Sequence, residues 1–179
     1  MKTARIVLFL PALLAVLTLT CGVSAQTAAA KNPFQSLSFL EGTWEAKTNG
    51  DSGVDSRGAY AFALELRGHI LSRHTISKDS CKGPADYNCD HSDLLYIYPD
   101  GPQGALRAIY FDNEGHVIKY DVSTPSPTTA VFISDESQPG PQFRLVYERK
   151  GDTMFGKFQI RMPGQSEWKP YLEWSGARK

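Results

Sequence analysis

The 179-residue chain has only three cysteines, balanced charge and, beyond Leu19, no long apolar run. Each shortage excludes something. Nineteen Lys and Arg face nineteen Asp and Glu, and no basic stripe or Lys/Arg run occurs, which argues against nucleic acid or an anionic membrane as the main partner. No apolar stretch reaches the roughly 20 residues of a membrane-spanning helix. Catalytic signatures are missing as well: there is no Gly-x-Ser-x-Gly elbow, no His-Glu-x-x-His and no phosphate- or dinucleotide-binding glycine loop. Asp90-His91-Ser92-Asp93 gathers the residue types of a catalytic triad, but adjacent strand residues point to opposite faces, and a triad is a geometry and not a composition. Seven residues separate Cys81 from Cys89, which is not a zinc spacing. No catalytic residue, metal ligand or cofactor is therefore assigned.

What is present begins with an address. Lys2 and Arg5 precede an apolar stretch from Ile6 to Leu19, interrupted by Pro11, and Val23-Ser24-Ala25 offers small residues for cleavage. These are the parts of a secretory signal peptide covering residues 1–25, with a mature start near Gln26 and a secreted or periplasmic destination. Thr20 precedes Cys21 where a lipoprotein signal carries Gly, Ala or Ser, which argues against a lipid anchor. Without the signal, the chain has the length of one domain: a flexible leader over 26–35, then one folded unit over 36–179. Two cysteines remain, in a polar loop expected from Ser77 to Asp90. In an oxidising compartment they are expected to be bridged, stiffening that loop and contributing about 2 kcal/mol.

The rest alternates apolar and polar residues with period two, punctuated by turn residues such as Asn49-Gly50, Asn113-Glu114-Gly115 and Lys150-Gly151-Asp152. The pattern predicts strands at Thr43–Lys47, Ser56–Leu66, His69–Ser77, Ser92–Tyr98, Gly104–Phe111, His116–Ser123, Thr129–Ser134, Gln142–Arg149, Met154–Met162 and Trp168–Ser175. A short helical turn precedes them within residues 34–40. About ten strands joined by tight turns, with no helix to cover an edge, predict an all-β fold: a single up-and-down antiparallel β-barrel. Gly42 would turn the chain sharply into the first strand, and Trp44 would plug the barrel end. Lys157, Gln159 and Arg161, with Arg144 and Glu148, form faces too polar for lipid, so an outer-membrane barrel is excluded.

A barrel of more than eight strands has room for a cavity. Alternation assigns Tyr60, Phe62 and Leu64; Leu94, Tyr96 and Tyr98; Phe143, Leu145 and Tyr147; and Phe155 or Phe158 and Ile160 to the interior. The polar candidates for orienting a ligand are His74, Arg107, Tyr110, Tyr120 and Arg144. Arg107 and Arg144 together would favour an anionic head, which points to a fatty-acid-like molecule.

Phe39-Leu40-Glu41-Gly42-Thr43-Trp44, Glu65-Leu66-Arg67-Gly68-His69-Ile70-Leu71 and Ile109-Tyr110-Phe111-Asp112-Asn113-Glu114-Gly115-His116 resemble the calycin-like barrels. That group includes lipocalins, nitrobindin-type haem barrels and secreted bacterial proteins of this length. The resemblance implies a cavity binder and leaves the ligand open. Haem ligation of the nitrobindin type is not implied, because Trp168 to Lys179 contains no histidine. The expected function is an exported, non-catalytic barrel for a small apolar or amphipathic molecule. The alternatives are a barrel isomerase or hydrolase using His74 or Tyr120 as general acid/base, or a filled barrel with a structural or interaction role.

Overall fold

The computed structural model describes residues 32–49, 53–102, 104–136 and 140–179; the expected signal peptide and most of the expected leader lie outside the described residues. A 3-10 helix, Gln35–Leu40, leads into ten strands: β1 (Gly42–Thr48), β2 (Asp55–Glu65), β3 (Ile70–Lys82), β4 (Asp93–Asp100), β5 (Ala105–Asp112), β6 (Val117–Ser126), β7 (Thr129–Ser134), β8 (Gln142–Lys150), β9 (Thr153–Arg161) and β10 (Lys169–Arg178). Every strand pairs antiparallel with its sequence neighbours, and β1 closes on β10, with Trp44 opposite Arg178 and Thr48 opposite Trp174. The product is the closed up-and-down barrel that alternation and turn spacing imply.

Three strands, β3, β6 and β10, run three or more residues further than the residue pattern indicates. The sequence places Ser77 to Asp90 in a loop, yet β3 continues to Lys82 because Ser56 pairs with Cys81 and Asp55 with Lys82. Register shifts between Arg57 and Gly58 and between Ala59 and Tyr60 leave Asp79 and Ile76 of β3 without a partner. Such bulges break strict alternation and hide a strand from a period-two reading. In β6, Pro125 sits where pairing with β7 shifts between Ser123 and Ser126, a position that tolerates a residue without an N–H.

One barrel end is plugged. Phe34, just ahead of the 3-10 helix, and Leu37 and Leu40 within it are fully buried beside Trp44, which is 0% exposed. The Trp44 indole N–H donates to the Leu40 carbonyl at 2.8 Å, and the Arg178 guanidinium lies 5.5 Å from its ring centroid. Gly42 adopts a φ of 112° at the corner between helix and strand, where a side chain would also meet Arg178 at 3.1 Å; only glycine takes this corner without strain.

Trp174 belongs to the core. It packs onto Gly156, its partner across β9 and β10, so closely that a Cβ there would fall 2.0 Å from the indole. Trp168 stays half-buried. Trp44→Ala is expected to cost about 3–5 kcal/mol, the range for removing a buried aromatic ring, and Trp168→Ala much less. Chemical denaturation checks this, and equal midpoints for wild type and Trp44→Ala would contradict it.

Candidate functional site

Away from the plug the interior is hollow. A cavity of about 780 Å³ opens between the Gly83–Ser92 loop, the β5–β6 turn and the start of β8, a volume typical of small-molecule sites. Phe143, Leu145, Phe158, Ile160, Leu172 and Trp174 give it apolar walls, and Tyr60, Tyr120 and Tyr147 also line it. Tyr147 is the junction between cavity and core. Its ring contacts Tyr60, Phe62, Phe132 and Trp174 at centroid distances of 6.2, 5.3, 6.1 and 5.8 Å, mostly edge-to-face, the arrangement that the ring quadrupole favours. Phe62 and Phe132 do not line the cavity and are closed off by it.

Within this apolar wall sits a buried ion pair. Arg73 of β3 donates from Nη1 to Asp93 Oδ1 at 2.7 Å, with side chains 12% and 10% exposed. Thr75 Oγ1 adds a bond to the same oxygen at 3.2 Å. Burial opposes both charges, but each partner more than restores the other: the Asp93 carboxyl is held well below the usual carboxylate range, and Arg73 stays protonated. The guanidinium also lies 5.1 Å from the Tyr60 ring centroid. Arg73 Nε and the hydroxyls of Tyr60 and Tyr147 are buried and have no hydrogen-bond partner among the described residues, and all three residues line the cavity. Unpaired buried polar atoms are costly, so three of them on residues that line one cavity are the strongest structural sign of a ligand oxygen.

Tyr110 and Tyr120 line this cavity. His74, Arg107 and Arg144 do not. Arg107 lies on the outer face between Asp121 at 2.5 Å and Asp135 at 2.8 Å. Arg144 bonds Gln159 at 2.8 Å, and both it and Arg161 lie 4.7 Å from the Trp168 ring centroid. His74 reaches Glu65 at 2.9 Å and packs on Tyr96. Arg107 and Arg144 therefore supply no anion preference to this cavity, and His74 lies outside it.

The interior sets divide in the same way. Tyr60, Phe62, Phe143, Leu145, Tyr147, Phe158 and Ile160 take the inward parity, while Leu64 is 39% exposed at its strand end. On β4 the parity is reversed: Leu95 and Ile97 are fully buried, and Leu94, Tyr96 and Tyr98 lie outside them. The run Leu94-Leu95-Tyr96-Ile97-Tyr98 is apolar on both faces, so alternation has nothing to act on; Asp93, drawn inward by Arg73, sets the register. Arg73 itself went unrecognised because a charged residue in an apolar strand reads as solvent-facing. The signal was a pairing of Arg and Asp across two strands, visible only once their register is known.

At the mouth, Cys81 and Cys89 are joined by a disulfide, with Cα atoms 5.6 Å apart. The loop it closes brings His91 to Tyr110 Oη at 3.1 Å and to Glu114 at 2.8 Å. Tyr110 is raised by burial and by the nearby Asp93 and Asp112 charges. Among the described residues, no helix is long and apolar enough to cross a membrane.

No protein-family model matches the chain, and no curated protein matches it in sequence. Among solved structures it is similar to EF1p2_mFAP2b bound to DFHBI, at 10% identity over 81% of this chain and 98% of that one, with a TM-score of 0.37. It is also similar to the Schistosoma mansoni fatty acid binding protein in complex with arachidonic acid, at 12% identity over 80% and 98%, with a TM-score of 0.41. Likenesses this loose leave the site to be read from the chain's own residues.

The buried phenols impose a pH dependence. Burial lifts Tyr120 and Tyr147 above the ordinary phenol value of 10.0, so the folded state holds these protons more tightly than the unfolded chain does. The resulting stabilisation is complete below pH 10 and is lost as pH rises above it through the folded values. Phenolate absorbance is expected to show a late phase that coincides with loss of circular dichroism. Titration of all eight tyrosines near pH 10 with the fold intact would contradict this.

Proposed function

We propose that this chain is an exported, non-catalytic carrier of a small amphipathic molecule. Its apolar part packs against Phe143, Phe158, Ile160 and Trp174, and an oxygen of its head accepts from Tyr147 and Arg73. The observation that carries this reading is a cavity of about 780 Å³ whose lining residues include three buried donors, on Tyr60, Arg73 and Tyr147, without partners among the described residues. Asp93 already neutralises Arg73, so the head is recognised as a hydrogen-bond acceptor and gains little from a negative charge. A fatty-acid-like molecule has this shape, and so does its neutral ester. Export rests on the signal features of residues 1–25 and agrees with the Cys81–Cys89 disulfide.

Tyr147→Phe tests the site without emptying the core, since the ring and its four aromatic contacts remain. Displacement of a fluorescent fatty acid is expected to show affinity for the acid and its methyl ester alike. The variant should weaken both by roughly fivefold to tenfold, the value of about one hydrogen bond. Its thermal midpoint should hold or rise, because an unsatisfied buried hydroxyl is removed. Arg107→Ala/Arg144→Ala should bind as wild type does. No saturable binding, or unchanged affinity in Tyr147→Phe, would overturn the assignment; an intact mass retaining residues 1–25 in exported material would overturn the export reading alone.

A further inference from the structure

We propose that the rim of the barrel carries a binding site for a divalent transition-metal ion of the zinc class, formed by His91, Asp112 and Glu114. One donor atom from each of the three lies within 4.8 Å of the other two, and His116 Nδ1 lies 2.9 Å from Asp112 Oδ2. Ligands at about 2.0–2.2 Å from one zinc ion stand about 3–4 Å apart, so side-chain adjustments alone close this set. The residues come from two loops more than twenty positions apart, which is why no sequence spacing announces them.

The outer partners of these donors are already in place. With His91 Nδ1 turned to Glu114 at 2.8 Å, its Nε2 faces Tyr110 Oη at 3.1 Å and Asp93 Oδ2 at 3.6 Å, and Asp93 is fixed in turn by Arg73. A metal-binding imidazole characteristically presents its second nitrogen to a carboxylate or hydroxyl, which fixes the tautomer and ring orientation. Asp112 Oδ1 accepts the backbone N–H groups of Glu114 at 3.0 Å and His116 at 2.9 Å, which leaves Oδ2 turned toward the cluster. Asn88 holds Glu114 Oε1 at 3.1 Å.

The two loops are also locked to each other. Asn113 exchanges hydrogen bonds with Ser92 in both directions at 3.0 Å and donates to the Asp90 carbonyl at 2.9 Å, while the Cys81–Cys89 bridge tethers the first loop to β3. Two carboxylates balance a divalent charge, and the His91 imidazole favours zinc-class ions over calcium or magnesium, which take oxygen ligands. His91 and Glu114 side chains are each 36% exposed, so an ion enters from solvent. All three donors line the cavity, placing the ion beside the ligand's path. The site stands independently of what the cavity carries, because the metal itself is the readout.

The test is calorimetric titration of Zn²⁺ into the untagged, oxidised mature protein, with Co²⁺ absorption as a second probe. One saturable site per chain is expected, and Co²⁺ should develop the intense visible bands of a low-coordinate complex. His91→Gln and Glu114→Gln should each weaken Zn²⁺ at least about tenfold, and His74→Gln, on the outer face, should not. Circular dichroism of the variants separates a lost ligand from a lost fold. Absence of saturable Zn²⁺ binding, unchanged affinity in both folded variants, or a weak octahedral Co²⁺ spectrum would overturn the proposal and leave the cluster as an ion-pair network.

Discussion

The pair Arg73–Asp93 is the constraint on which the interior depends. Neither charge can be buried alone, since an uncompensated ion in an apolar interior costs several kcal/mol, and their 2.7 Å contact fixes which faces of β3 and β4 look inward. Leu71, Arg73 and Thr75 follow from one end of it, and Leu95 and Ile97 from the other. The same charges act on Tyr110, Tyr120 and Tyr147, so one ion pair sets both the packing register and the polar character of the hollow.

That hollow exists because the barrel is filled from one end only. The 3-10 segment and Trp44 close the first end, and an aromatic group centred on Tyr147 carries the filling to mid-barrel. Above Tyr147, where the Trp174 indole packs onto Gly156, the side chains leave the cavity open. The mouth is held by covalent and polar links between the disulfide loop and the β5–β6 turn, and not by apolar burial. The packed core and the cavity thus occupy opposite ends of the fold, and a polar group can be left unsatisfied in the cavity at little cost to the plugged half.

The architecture was legible in the residues because period-two alternation and turn chemistry act locally. Glycines and Asn or Asp residues mark the hairpins, and the segment through Trp44 marks the opening of the first strand. Disulfide pairing was legible from compartment and parity. The inward polar residues were not, because a single register step exchanges the two faces of a strand. On β3 the residue pattern singles out His74 whereas Arg73 points inward, and Leu94-Leu95-Tyr96-Ile97-Tyr98 is apolar on both sides. The bulges in β3 add residues that no alternation rule anticipates, and the rim cluster assembles from turns that only closure of the barrel brings together.

The central claim is that a ligand sits above Tyr147 against Trp174, while Trp44 lies sealed beneath. A brominated fatty-acid methyl ester quenches tryptophan fluorescence at short range, and Trp44, Trp168 and Trp174 are the chain's three tryptophans. Saturable quenching that disappears in Trp174→Phe and survives in Trp168→Phe is the expected result. Quenching that survives in Trp174→Phe, or that never saturates, would contradict it.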